Sequence, residues 1–339
     1  MSLIGVQITD IIKGEEISFE HLFDKKIAID AYNWIYQFLS IIRQPDGTPL
    51  QDSKGRTTSH LSGLYYRTIK LMGAGIKPIY VFDGEPPDFK KQTNEQRRDV
   101  RSEAAREWKK ALERGDIEAE KKHAQRSVSI NEEIIDSGKH LLKSMGLPVL
   151  QAPSEGEALC SVMVKNSDAY AVATQDYDSL LFGATRLVRN LSITGKRKRG
   201  DKIITINPEM FLLKNILEEL GLSGSQLIIL GILVGTDYNP GGVSGFGPKR
   251  ALELVKEKKT FSSIMNDLPW SFDISAKDIF DFFKSPPAGD YKIIFSEMDE
   301  EKVKKLLCDE HDFSEERIDS SLKKLQESKK EQKSLNRWF

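Results

Sequence analysis

Seven carboxylates stand where the chain could gather them. Asp30 and Asp83 each close a short apolar run, Lys26–Asp30 and Lys77–Asp83. Glu155 and Glu157 follow the run Leu147–Leu150, just after Pro153-Ser154, and Asp176 and Asp178 follow Tyr170–Thr174 at once. Asp237 lies in Gly235-Thr-Asp-Tyr238, after the apolar run Leu227–Val234. Taken singly, an aspartate after a strand is most often a helix cap or a turn residue. Two acid-x-acid pairs and two strand-end aspartates together are harder to dismiss, because carboxylates crowded in one place repel unless cations lie between them. Oxygen-only ligands, with no Cys/His cluster, select Mg²⁺ or Mn²⁺ over zinc. Two such ions about 3.5–4 Å apart stabilise both the attacking and the leaving oxygen of a phosphate displacement. The chemistry implied is phosphodiester hydrolysis by water activated on a metal.

The elements that must position these acids alternate. Apolar runs at Lys26–Asp30, Lys77–Asp83, Leu147–Leu150 and Tyr170–Thr174 read as strands, and Leu187–Arg189 and Ile203–Ile206 as weaker ones. Helical spacing fills Leu61–Met72 and Asn131–Met145. Strand–helix alternation predicts an α/β fold with a mostly parallel sheet, and sites in such sheets form outside the carboxyl ends of the strands. From Phe211 onward the chain reads as mostly helical, with Ser271–Pro287 looser and Gln326–Lys333 a frayed polar tail.

Composition narrows the class. The chain has 339 residues, with Lys+Arg 50 against Asp+Glu 51 for a net charge of −1, so any nucleic-acid contact must come from local patches. Two distant cysteines, Cys160 and Cys308, make neither a disulfide framework nor a zinc site. No apolar run is long enough to cross a bilayer, and no signal-peptide pattern opens the chain. The expectation is a soluble intracellular protein. Zinc-protease and serine-hydrolase motifs are missing, and His21, His60, His123, His140 and His311 show no ligand spacing.

Four further stretches invite a reading. Residues 90–126 carry 12 Lys/Arg and 8 Asp/Glu, a net of +4, with few apolar anchors beyond Trp108; on residues alone this is a solvated helix laced with ion pairs. Gly241-Gly-Val-Ser-Gly-Phe-Gly-Pro-Lys-Arg-Ala251 is neither a Walker loop nor a dinucleotide fingerprint. Gly245 and Gly247 allow a tight turn, Pro248 suits a first helical turn, and the free amides there with Lys249 and Arg250 make an anion site. This is the pattern of a helix–hairpin–helix element gripping a DNA backbone without reading bases. Gly195-Lys-Arg-Lys-Arg-Gly-Asp-Lys202 is either a basic hairpin tip or a solvated loop. The last residues present Gln332, Leu335, Trp338 and Phe339 at the spacing of a docking peptide.

From about Gly5 to Phe339 the chain resembles the structure-specific 5′ flap endonucleases of archaea and eukaryotes. The resemblance rests on Ile29-Asp-Ala31, Tyr80-Val-Phe-Asp-Gly84, Ala152-Pro-Ser-Glu-Gly-Glu-Ala158, Thr174-Gln-Asp-Tyr-Asp-Ser179, Gly235-Thr-Asp-Tyr238 and the glycine loop. It implies a PIN-like nuclease fold in which Asp30, Asp83, Glu155, Glu157, Asp176, Asp178 and Asp237 hold two Mg²⁺, with Mn²⁺ able to substitute. It implies that Lys90 and Arg97, at the base of a helical arch over 90–126, act on the scissile phosphate, and that Tyr36 stacks on a substrate base. Thr58 and Arg317 would form a pocket for a one-nucleotide 3′ flap, and K⁺ would assist the glycine loop on duplex DNA. The C-terminal octapeptide resembles the box that docks on a PCNA-type sliding clamp. One departure is visible: Ser2-Leu-Ile4 precedes Gly5, where the family has glycine straight after the initiator methionine. No basic tail follows Phe339, a pattern that points to an archaeal, cytoplasmic protein rather than a nuclear one.

The reading is a monomeric nuclease domain over 1–325, made of an N-terminal region 1–89, the arch 90–126 and an internal region 127–325 with its helix–hairpin–helix at 227–256, followed by a clamp-binding tail at 326–339. Its activity would be Mg²⁺-dependent 5′ flap endonuclease with associated 5′–3′ exonuclease. The alternatives are a superfamily 5′ exonuclease and a non-enzymatic, clamp-docked module that binds DNA junctions.

Overall fold

In the computed structural model, residues 5–87, 90, 103, 106–107, 129–193, 195–199 and 202–335 are described. Most of the arch stretch, including Arg97, lies outside them, as do Ser2-Leu-Ile4, Trp338 and Phe339 and the side chains of Gln332 and Leu335.

The predicted strands join one sheet, except Ile203–Ile206, and two unpredicted strands, Glu15–Glu16 and Glu209–Leu212, extend it. Strands β1 (Glu15–Glu16), β2 (Lys26–Asp30), β3 (Lys77–Phe82), β4 (Val149–Gln151), β5 (Ala171–Ala173), β6 (Arg186–Arg189) and β9 (Glu209–Leu212) lie in the order β1-β9-β6-β5-β2-β3-β4. The pairs β2–β3, β2–β5, β3–β4 and β5–β6 are parallel, while β9 runs antiparallel to both β6 and β1. Succession runs outward from β2 in both directions, so chain order reverses beside β2. A site belongs outside the carboxyl ends of these strands.

Alternation fixes the two faces. Ile27, Ile29, Tyr80 and Phe82 point to one core, and Ala28, Ile79 and Val81 to the other. The first core is covered by helices α1 (Ala31–Ile41), α2 (Ser59–Gly73) and α3 (Glu132–Ser144); the second receives Leu159, Cys160 and Met163 of α4 (Gly156–Lys165). Helix α1 buries Ala31, Trp34, Ile35, Phe38 and Leu39, one stripe at helical spacing. Each of the larger side chains among these contributes roughly 1.5–3 kcal/mol. After the short α5 (Asp178–Leu181), a third core joins α6 (Leu213–Leu220), α7 (Gly224–Val234), α8 (Pro248–Lys258), α9 (Phe261–Met265) and α10 (Ala276–Lys284). Helices α11 (Glu300–Lys304) and α12 (Glu315–Leu335) close the molecule. Helix α12 packs on α2 through Ile318, Leu322 and Leu325, and the Tyr65 hydroxyl meets Ser321 Oγ at 2.6 Å.

Four expectations change. The basic run from Gly195 is itself a strand, β7 (Gly195–Arg199), paired antiparallel with β8 (Lys202–Ile206) in a separate ribbon. Strand β9 extends to Leu212, two residues into the stretch read as helical. Ala276–Lys284, read as loose, is a helix that buries Ile279, Phe280 and Phe283 and is capped by Ser275. Helix α12 is continuous through Leu335 where a frayed tail was expected; its residues after Leu325 are mostly strong helix formers, and Gln326 Nε2 donates to Glu300 Oε1 at 2.8 Å.

Candidate active site

All seven acids lie at the carboxyl edge of the sheet or on segments that reach it. Asp30 ends β2 and caps α1, its Oδ1 accepting from Asn33 N at 3.0 Å. Asp83 follows β3, and its Oδ1 accepts from the Gly156 amide at 2.7 Å. That amide opens α4, so the β4–α4 turn brings Glu155 and Glu157 to Asp83. Glu157 Oε1 accepts from Ser179 N at 2.8 Å, tying α4 to α5. Asp176 Oδ2 accepts from Asn33 Nδ2 at 2.9 Å. Asp178, the first residue of α5, accepts from Val6 N at 2.6 Å, and Asp237 accepts from Gly5 N at 3.0 Å. Glu155 Oε2 accepts from the Tyr238 hydroxyl at 2.5 Å.

Gly156 explains the closeness of this turn. A Cβ there would stand 2.9 Å from Asp83 Oδ1 and 3.1 Å from the Val81 carbonyl. A side chain would push the carboxylate off the amide that holds it.

Lys90 enters this group. Its Nζ pairs with Glu155 Oε1 and lies 3.6 Å from Asp237 Oδ2, and it sits 5.8 Å from the Tyr238 ring centre. Burial opposes its charge, but Glu155, Asp237 and Asp83 more than offset this and raise its pKa. The acids show the opposite strain. Burial and then Asp83 push Asp30 up to about 7. Burial outweighs Lys90 and holds Asp83 at about 6. Burial and Asp237 push Asp178 up to about 7. Glu157 is raised well above the carboxylate range by burial and by Asp176, Asp178 and Asp30. These groups are held close at a cost that bound positive charge would relieve.

The donor set therefore suits hard divalent cations: carboxylate oxygens alone, each carboxylate oriented by a hydrogen bond or by Lys90, and none joined by histidine or cysteine. Among the described residues no three acids yet close on one point as an ion's ligands would.

The other expected residues are dispersed. Tyr36 is half-buried on α1 beside the first core. Thr58, 5 % exposed, precedes α2, and Arg317 is exposed on the first turn of α12. The loop before α2 is tied to the segment before α12. Asp52 accepts from the amides of Lys54 (3.0 Å) and Arg56 (2.8 Å), from Arg56 Nε at 2.8 Å, and pairs with His311 Nδ1 at 2.9 Å. Ser53 N donates to Asp312 at 2.6 Å.

Pro248 opens α8 as expected, behind Gly247, whose side makes no cap, and Lys249 and Arg250 are exposed. Arg250 Nη1 bonds back to the Gly245 carbonyl at 3.1 Å. Gly245 has φ +82° as a tight turn requires, but Gly247 has an ordinary φ of −88° and does not need to be glycine. The glycine that the turn demands and the pattern missed is Gly242: at φ +64° a Cβ would lie 2.3 Å from the Leu233 carbonyl.

Sequence reasoning also missed Asn33, Ser179 and Tyr238, which orient Asp176, Glu157 and Glu155. Asn33 had a signal, standing three residues after a capping aspartate. Ser179 and Tyr238 had none beyond adjacency to an acid.

This fold and acid edge define a class of nucleases. The XPG N-terminal domain matches residues 5–104 and the XPG I-region residues 146–237. The solved flap endonuclease-1 from Methanococcus jannaschii superposes with a TM-score of 0.75 at 42 % identity, over 96 % of this chain and 98 % of that one. The catalytic core of Rad2 in complex with DNA substrate shares the fold, with a TM-score of 0.68 at 23 % identity over 92 % and 96 %. Flap endonuclease 1 of Pyrococcus furiosus is 54 % identical over 99 % of both chains, and that of Archaeoglobus fulgidus 49 % over 99 % and 100 %. The chain belongs to the flap endonuclease 1 family.

Proposed function

We propose that the protein is a divalent-metal-dependent nuclease that hydrolyses a phosphodiester at the base of 5′ flaps in DNA replication and repair, with associated 5′–3′ exonuclease activity. The observation that carries the reading is the meeting of seven carboxylates, from separate strand ends and loops, with one half-buried lysine. Two Mg²⁺ or Mn²⁺ ions there would supply an activated water and offset charge on the reacting phosphate. The protein's own groups do the rest. Gly156 N, Ser179 N, Val6 N and Gly5 N hold the carboxylates in register. The Tyr238 hydroxyl, its pKa raised by burial and by Glu155, stays protonated and orients Glu155. The Lys90 ammonium stays protonated and stands ready to stabilise negative charge on the phosphate, with Arg97 as its partner.

The amides opening α8, with Lys249 and Arg250, suit the phosphates of the duplex, with K⁺ assisting, and Thr58 and Arg317 suit the 3′ flap. Tyr36 would meet a substrate base. Gln332, Leu335, Trp338 and Phe339 would dock on a PCNA-type clamp.

The test is cleavage of a 5′-labelled double-flap DNA in Mg²⁺, beside the same duplex with its 5′ flap end blocked. One cut about one nucleotide inside the duplex, suppressed by the block, is expected. Asp178→Ala should abolish that cut and leave DNA binding intact. Binding without any Mg²⁺-dependent cut would replace this reading with the junction-binding module.

A further inference from the structure

Asn33 touches two of the acids at once. Its amide N–H donates to Asp30 Oδ1 at 3.0 Å and its side-chain Nδ2 to Asp176 Oδ2 at 2.9 Å. It thereby bridges the ends of β2 and β5, neighbours in the sheet. A chain of uncharged side chains continues behind it. Gln37 Nε2, one turn further along α1, donates to Asn33 Oδ1 at 2.9 Å, and Gln37 Oε1 accepts from Ser192 Oγ. Ser192 is buried and lines a cleft of about 370 Å³ with Phe38, Arg67 and Lys70.

The direction of this chain is dictated from its acid end. Asn33 gives its NH₂ to Asp176, so its oxygen turns toward Gln37. Gln37 must then present its NH₂ to Asn33 and its oxygen to Ser192, whose hydroxyl supplies the proton. Every amide has one permitted orientation, and the aligned dipoles reinforce one another. Reversing any member sets two oxygens face to face.

We propose that Asn33, oriented by Gln37 and Ser192, is a positioning residue that fixes the Asp176 carboxylate for divalent-cation binding and sets its relation to Asp30. The proposal rests on the metal-dependent reading above. Partners of this kind behind a ligand typically change metal affinity by 10–100-fold. Gln37→Glu is the sharpest variant. It keeps the shape and an oxygen for Ser192 but cannot donate to Asn33. Its added negative charge would by itself strengthen cation binding, so a weakening isolates the lost orientation.

The experiment measures Mn²⁺ binding to the full chain by electron paramagnetic resonance of the free ion. The proteins are wild type, Asn33→Ala, Gln37→Glu, Ser192→Ala and the Asn33→Ala/Gln37→Glu double variant. Asn33→Ala keeps the backbone N–H to Asp30 and places a better helix former in α1, so it should fold; melting temperatures check each protein. Asn33→Ala and Gln37→Glu should each weaken Mn²⁺ binding on the order of 10-fold, and Ser192→Ala by a smaller factor. The double variant should be no weaker than Asn33→Ala alone, because Gln37 acts through Asn33. Cleavage should recover at high metal concentration. Wild-type Mn²⁺ affinity in the single variants, or losses that multiply in the double, would overturn the proposal. No Mn²⁺ uptake by the wild type would instead overturn the metal reading on which it rests.

Discussion

Gly156→Ala should separate activity from stability. The new Cβ would stand 2.9 Å from Asp83 Oδ1 and 3.1 Å from the Val81 carbonyl, where ordinary contact begins at 3.4 Å. Strand β3 is fixed in the sheet, so the carboxylate yields, by about 0.5 Å, and its 2.7 Å bond from the Gly156 amide lengthens. A 1 Å misplacement can cost about 10²-fold in rate, so half of that should cost roughly 10-fold, or about 1.4 kcal/mol in the barrier. Stability responds differently. Gly156 opens α4, so alanine gains less than the roughly 1 kcal/mol of a helix interior, and local crowding costs about 1–3 kcal/mol, leaving a net loss of up to about 3 kcal/mol that is read separately from the rate. Single-turnover cleavage of a flap substrate at saturating Mg²⁺, paired with denaturant unfolding, reads both quantities. A variant that cleaves at the wild-type rate would refute the argument that this amide and the missing side chain place Asp83.

Stabilisation by Mg²⁺ should grow with pH. Asp30 and Asp178 at about 7 and Asp83 at about 6 are raised above their ordinary 3.8, so the folded, metal-free protein binds protons that the unfolded chain has shed; the site's own contribution to stability falls as pH rises through that window. Bound cation removes this loss, so the Mg²⁺-induced rise in melting temperature should be larger at pH 7.5 than at pH 5.5. Comparing with and without Mg²⁺ at each pH cancels His60, which burial and His311 hold near 3 and which destabilises the fold as pH falls below about 6.5. An equal Mg²⁺ effect at both pH values would contradict the charge balance described. Asp52→Asn should lower the melting temperature and weaken the preference for substrates with a one-nucleotide 3′ flap over those without. It removes the carboxylate that joins Arg56 and His311; single-turnover rates on the two substrates test it, and an unchanged ratio would detach the loop before α2 from that pocket.

The acids were legible because strand-end position and local pairing are properties of a few consecutive residues. Asp30, Asp83, Asp176 and Asp178 follow β-like runs, and the parallel sheet does the gathering. What holds the acids was harder to read. The amides of Gly5 and Val6 come from a segment more than 170 residues from Asp178 and Asp237, and a backbone donor leaves no mark in side-chain identity. Strand β7 escaped because Lys-Arg-Lys-Arg has no apolar alternation; pairing with β8 supplies what its side chains do not. Helix α10 was obscured by the prolines after it, although Ile279, Phe280 and Phe283 carry the helical stripe. Gly247 was over-read because a Gly-x-Gly pair suggests two special conformations, and the turn spends its left-handed residues earlier, at Gly241, Gly242 and Gly245.

The seam between α2 and α12 governs how the molecule is made. Tyr65 and Ser321 meet across 256 residues of sequence. A ribosome adding 5–20 residues per second leaves the apolar face of α2 without its cover for roughly 13–50 s. Every residue that carries the acids, from Gly5 to Asp237, has by then been synthesised. A nascent chain halted before α12 would hold its assembled sheet and still show to water the side of α2 that carries Tyr65 and Gly73, inviting chaperones or self-association. The order of emergence places the parts that bear the chemistry ahead of the helix that covers α2.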